Sequence, residues 1–160
     1  MSEGAESPPV ARIVSGGQTG ADRAALDVAI ELGIDYGGWC PAGGWAEDYP
    51  EPPGLLAAYP RLRPTWEADA TVRTRLNVRD SDATLVVYDA GTTSPGTQST
   101  IDAARAEGRP FLVTPGDVAE TAEWLAGLPK RITLNVAGPR ESSSPGTYQR
   151  TADLLRAVLA

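Results

Sequence analysis

Two glycine-rich turns constrain this chain more than any other feature. SGGQTGAD (15–22) and GTTSPGT (91–97) each follow a short apolar run and open a segment with helical spacing. A turn of this kind exists where something must approach the backbone closely, and its recurrence between strand and helix marks a parallel sheet. Arg12-Ile13-Val14 reads as a buried strand, and Thr19 to Leu32 places Ala21, Ala25, Leu26, Ala29 and Ile30 at helical spacing, with Gly33 as the stop.

The same alternation continues to the end of the chain. IDYGGWC (34–40) is a second strand, and the Pro- and Gly-rich stretch to Pro64 is a long irregular loop. Thr65, as N-cap, opens a helix through Arg79, and ATLVVYD (83–89), apolar on both faces, is the central strand. A helix from Thr97 to Glu107 leads to the strand Pro110–Thr114, a helix Val118–Leu125, a strand Ile132–Val136 and a last helix Tyr148–Leu159. Five strands alternating with helices predict an α/β fold, a three-layer, Rossmann-like, doubly wound parallel sheet of about five strands. Residues 11–160 form the single ligand-binding domain in this reading, and residues 1–10 a disordered arm.

Composition excludes several functions. The 160 residues suit one domain, and 41% hydrophobic residues suffice for a core, with no run long enough to span a bilayer. The arm MSEGAESPPV has no basic flank and no apolar stretch, so it is no targeting peptide, and a cytoplasmic protein with no membrane partner is expected. A net charge of -7 disfavours nucleic acid as a partner. One Cys and no His exclude an internal disulfide and a zinc site within one chain.

In an open parallel sheet, ligands bind beyond the carboxyl ends of the strands, where both glycine turns would lie. Each turn offers first-turn N–H groups and the positive end of a helix dipole, so together they form a clamp for a phosphate or carboxylate. The plainer alternative is that the glycines only permit tight turns. Gly20 is followed by Ala21-Asp22 rather than Lys-Ser/Thr, which argues against a nucleotide P-loop. The second strand ends in GGWCP without the ribose-binding acid of a dinucleotide fold.

Four groups of motifs go further: SGGQTGADRAALD (15–27), GGWCP (37–41) with AED (46–48), Arg73-Thr74 followed by NVRDSDATL (77–85), and LNVAGPRES with PGTY (134–148). Together they resemble the molybdenum cofactor carrier family, in the Rossmann-like superfamily that includes lysine-decarboxylase-like nucleoside-monophosphate phosphoribohydrolases. The resemblance implies a homodimer or homotetramer that carries molybdenum cofactor by its phosphate and pterin, with molybdoenzymes as partners. The family has a Lys and an Arg after GGWCP where this chain has Ala42-Gly43-Gly44-Trp45. Either the phosphate is held without them, or the ligand is different or less charged.

The candidate ligand-binding residues are Gly16, Gly17, Gln18, Thr19, Gly20 and Asp22 in the first turn, and Ser94, Gly96 and Thr97 in the second. Arg73 and Asn77, one helical turn apart, and Arg140, after the fifth strand, complete the set. Asp80 could share the face of Arg73 and Asn77, unless all three form a solvated, salt-bridged surface. Arg140 and Glu141 could equally be a surface ion pair. Trp39, Trp45 and Trp66 could stack on a flat ring or anchor the loop. Cys40 is a candidate molybdenum ligand, although burial is the commoner fate of a free cysteine.

A nucleotide-binding sensor and a nucleoside-monophosphate N-glycosidase are the alternatives to a carrier. The related phosphoribohydrolases carry PGGxGTxxE in the second loop, whereas SPGTQST puts Thr100 at the position of the glutamate. The glycosidase therefore lacks its carboxylate, unless Asp22, Asp80 or Asp102 replaces it. Binding without turnover is the expectation.

Overall fold

The computed structural model describes residues 8–88 and 95–160. Six strands, Val10–Val14 (β1), Asp35–Cys40 (β2), Leu62–Pro64 (β3), Ala83–Val87 (β4), Phe111–Thr114 (β5) and Ile132–Ala137 (β6), form one parallel sheet in the order β3-β2-β1-β6-β4-β5. The helices are Ala21–Leu32 (α1), Leu55–Ala58 (α2), Ala70–Arg79 (α3), Pro95–Glu107 (α4), Val118–Ala126 (α5) and Thr147–Leu159 (α6). The chain winds outward from the middle in both directions, and right-handed crossovers then put α1 and α4 on opposite faces. α1 packs on α6, with α5 beside it, while α3 packs on α4.

The alternation read from the sequence holds, with one strand more than expected. β3 lies in the stretch read as loop, because it is three residues long, ends in a proline and buries only Leu62. Such a strand is confined to a sheet edge and carries no periodic signal. β4 is buried at every position, as its apolar character on both faces requires. α1 buries Ala21, Ala24, Ala25, Leu26, Val28 and Ala29 and stops at Gly33 in the left-handed conformation.

Two boundaries are corrected. α3 starts at Ala70, not Thr65: the Asp69 carboxylate accepts from Thr71 N, while the buried Thr65 hydroxyl donates to Glu67 O in a turn of its own. Residues 8–10, assigned to the arm, belong to the domain. Arg131 N donates to Pro8 O and Ile132 N to Pro9 O, and Val10 is buried in β1. Residues 1–7 lie outside the described set.

β6 is last in the chain yet sits between β1 and β4 at the centre of the sheet. Moving the unit β6–α6 to the front would give a sheet that begins at its centre, winds to one edge and returns to fill the other. The chain's ends allow that relation, since Pro8–Ala11 and Leu159 line one cleft at the lower edge of the sheet. Among the described residues no helix is long and apolar enough to cross a membrane.

Candidate functional site

The winding reverses across β1, β6 and β4, and a cavity of about 370 Å³ opens at their carboxyl ends. Gly16, Gln18 and Asp22 line it after β1, Asn135 to Gly138 at the end of β6, and Arg140, Ser142 and Ser143 in the loop that follows. Ala70, Thr71, Arg73, Thr74 and Asn77 of α3 form one wall, and Pro95, Gly96, Ser99 and Thr100 of α4 another. Of the residues singled out in the sequence, Gly16, Gln18, Asp22, Arg73, Asn77, Gly96 and Arg140 thus share one cavity. Gly17, Thr19, Gly20 and Thr97 do not line it, and Ser94 lies outside the described residues.

The protein itself makes the close approach that the first glycine turn implies. A methyl group on Gly16 would overlap the Arg73 guanidinium, and one on Gly17 would come within 2.8 Å of the Leu55 side chain. One on Gly20 would overlap the Pro139 carbonyl oxygen. Gly96 is the opposite case: among the described residues an added methyl meets nothing within 4 Å. The expected clamp of two equivalent loops is therefore uneven. Asp22 places a carboxylate in the first turn of α1, whereas Pro95 and Gly96 bring the start of α4 to the cavity wall without one.

Thr19 and Gln18 fasten loops together. Gln18 Oε1 accepts from Thr19 N at 3.0 Å and from Glu47 N at 2.9 Å. The Thr19 hydroxyl donates to the Glu47 carboxylate and accepts from Glu141 N at 3.1 Å. Glu47 also accepts from the Ser142 hydroxyl at 2.6 Å, and these hydroxyl donors hold its carboxyl below the usual range. Arg23 donates to Gly17 O at 3.0 Å and grips both Asp48 oxygens at 2.8 Å. The AED motif is thus the staple that joins the first glycine turn to the loop after β6. Arg23, Glu47, Asp48 and Asn135 were not among the sequence candidates, since their partners lie far along the chain.

The helical face of Arg73, Asn77 and Asp80 splits three ways. Arg73 Nη1 donates to Asp22 Oδ2 at 3.4 Å, and its side chain is only 12% exposed. Asn77 is buried and spends both ends of its amide on β2, accepting from Trp39 N at 2.7 Å and donating to Trp39 O at 3.0 Å. Asn77 thus docks α3 to the sheet while also lining the cavity. Asp80 faces away from the cavity, taking the Trp39 indole N–H at 2.9 Å and the Arg79 guanidinium.

Arg140 is 44% exposed, lies 3.9 Å from Glu47 Oε1, and stacks 5.5 Å over the Trp45 ring. Glu141 does not pair with it. Its carboxylate caps α6, accepting from Gly146 N and Tyr148 N. Trp66 is 76% exposed, and none of the three tryptophans lines the cavity. Cys40 packs in the hydrophobic core, where burial pushes its thiol up to about 11. Asp102 pairs with Gln98 outside the cavity. Thr100 does line it, with its hydroxyl donating to Gly96 O.

Asp22 is the only acid among the described lining residues. Burial raises its pKa from 3.8 to about 6, outweighing the attraction of Arg73. The folded chain therefore holds a proton that the unfolded chain has released. Stability from this group is greatest at low pH and is lost as pH rises through about 6, by roughly 1 kcal/mol between about pH 5 and about pH 8. Asp22→Asn should remove that slope. Urea unfolding of both proteins at the two pH values checks it, and parallel curves would show that Asp22 is not buried in this way.

A family model for the circularly permutated YpsA SLOG family matches residues 13–159. The permutation in that description fits the central place of the last strand. A solved structure of a protein from Syntrophus aciditrophicus named "Putative molybdenum carrier protein" is 39% identical, with a TM-score of 0.85 over 97% of this chain and 98% of that one. Among curated proteins no match was found. With the fold, the motifs and the family model in agreement, the chain belongs to the circularly permutated YpsA SLOG family, and its resemblance to molybdenum cofactor carriers holds.

Proposed function

We propose that this protein binds a phosphorylated flat heterocycle, molybdenum cofactor or a close relative, and carries it without turnover. The observation that supports this most is the convergence of Arg73, Arg140 and the start of α4 on one cavity at the reversal of strand order. Two guanidiniums and the positive end of the α4 dipole suit a phosphate, and Arg140 answers for the basic residues missing after GGWCP. The volume falls in the usual range for small-molecule sites, roughly 300–1,000 Å³. The name of the 39% identical neighbour agrees with the same cargo. Delivery to molybdoenzymes and assembly into a homodimer or homotetramer belong to this reading.

Mass spectrometry of the ligand released from native protein tests it, with a pterin and molybdenum expected. Gly96→Val should weaken binding of that ligand at least tenfold while the protein stays folded, because the new side chain adds bulk at the cavity wall and among the described residues meets no protein atom. Unchanged affinity would remove α4 from the site.

A second reading rests on Asp22, a buried cavity acid with a pKa near 6, which is the kind of group that exchanges protons at a scissile N-glycosidic bond. Release of base from a nucleoside monophosphate, lost in Asp22→Asn, would establish it. A released nucleotide without such turnover would identify a sensor.

A further inference from the structure

Asp22 is out of place in a cavity built for an anion. Arg73 and Arg140 are the other charged groups among its described lining residues, and a carboxylate between them weakens their hold on a phosphate. Asp22 is only 6% exposed, so water does little to screen it. Arg73 cannot satisfy it either. Their contact is 3.4 Å, longer than the ~2.7–2.9 Å of a charge-assisted hydrogen bond, and Arg73 already lies against the backbone at Gly16. The remaining groups facing Asp22 are the backbone N–H groups of Gln18 and Gly138 and, at longer range, Arg23 of its own helix. A buried carboxylate so placed gains most from a ligand that brings N–H donors to it.

We infer that Asp22 is the specificity-determining residue of this site, selecting heterocycles that present neighbouring N–H donors. The 2-amino-4-oxopyrimidine edge of pterins and guanine has this pattern. The inference deepens the ligand-binding reading above and rests on it. The heterocycle's N–H and NH₂ groups donate to the Asp22 carboxylate while its phosphate or carboxylate takes the arginines and the α4 turn. An analogue without the 2-amino group leaves the buried carboxylate one donor short, or turns a carbonyl oxygen toward it. A site built to hydrogen-bond a group rejects the analogue lacking it far more strongly than lost contact area would.

Matched probes test this: guanosine against inosine 5′-monophosphate, and pterin-6-carboxylate against lumazine-6-carboxylate, by calorimetry with the full chain. At about pH 8 the 2-amino member of a pair should bind at least tenfold tighter. At about pH 5, where Asp22 carries a proton in the free protein, the ratio should fall toward one. Taking the ratio cancels the titration of the ligand's own anion, which both members share. Asp22→Asn, shown to be folded by circular dichroism, should lose the preference at both pH values. The pH comparison on the natural protein stands even if that variant fails to fold. Equal binding of both members at about pH 8, or a preference unchanged by pH, would overturn the role of Asp22 and leave the ligand-binding reading standing. Binding of neither pair would overturn both.

Discussion

Gly20→Ala is expected to cost about 3 kcal/mol of folding stability or more. Gly20 has φ 84°, a conformation that costs an L-residue roughly 1–2 kcal/mol. Its new methyl group would also overlap the Pro139 carbonyl oxygen and come within 2.9 Å of Glu141 N. Both obstacles are backbone, so no rotamer change relieves them. The loop from Gly138 to Glu141 would have to lift, losing the bonds from Glu141 N to Thr19 and from Ala21 N to Pro139 O. Gly96→Ala is the control. Among the described residues its methyl meets nothing within 4 Å, and the position is helical, so its stability should change by less than about 1 kcal/mol, in the favourable direction. Urea unfolding separates the two. A Gly20→Ala protein as stable as the parent, with only ligand affinity lost, would return this turn to the role of a ligand cradle.

Asn77→Ala should cost about 2 kcal/mol, because the Trp39 N–H and C=O would each lose a side-chain partner at a partly buried place, at roughly 1–3 kcal/mol per group left unpaired. The amide acts as a short extra strand edge, closing the β2 backbone where α3 packs on it. Asn77→Asp should also be damaging. It keeps an acceptor for Trp39 N but sets an oxygen against Trp39 O. Because α3 also carries Arg73, ligand affinity should fall with stability in both variants. Full stability combined with weakened binding would show that Asn77 serves the ligand directly and that the bonds to Trp39 are dispensable.

These two residues show how far the sequence could be read. The three glycines between Ser15 and Asp22 announce a close approach to the backbone, but the approaching groups are Arg73, Leu55 and Pro139, remote in sequence. The spacing of Arg73, Asn77 and Asp80 puts them near one helical face. Where α3 rests on β2 then decides that Arg73 meets the cavity, Asn77 the Trp39 backbone and Asp80 the Trp39 indole. The AED motif was visible as a resemblance, and its work as a staple was not.

The elements themselves were legible because their signals are local. Ala25, Leu26, Ala29 and Ile30 followed by Gly33 spell a helix and its stop, and ATLVV spells a strand covered on both sides, since the 3.6- and 2-residue periods come from the chain's own geometry. By itself, then, the sequence determined the α/β class, most of the element order, and the edge of the sheet at which the cavity opens. Only the tertiary structure decided that the last strand lies at the centre, that a three-residue strand with one buried side chain closes an edge, and which candidates face the cavity. Those outcomes rest on pairings such as Asp22 with Arg73, 51 residues apart, and Thr19 with Glu141, 122 apart. Contacts at such separations follow from the energy of packing whole elements together, which no local period encodes.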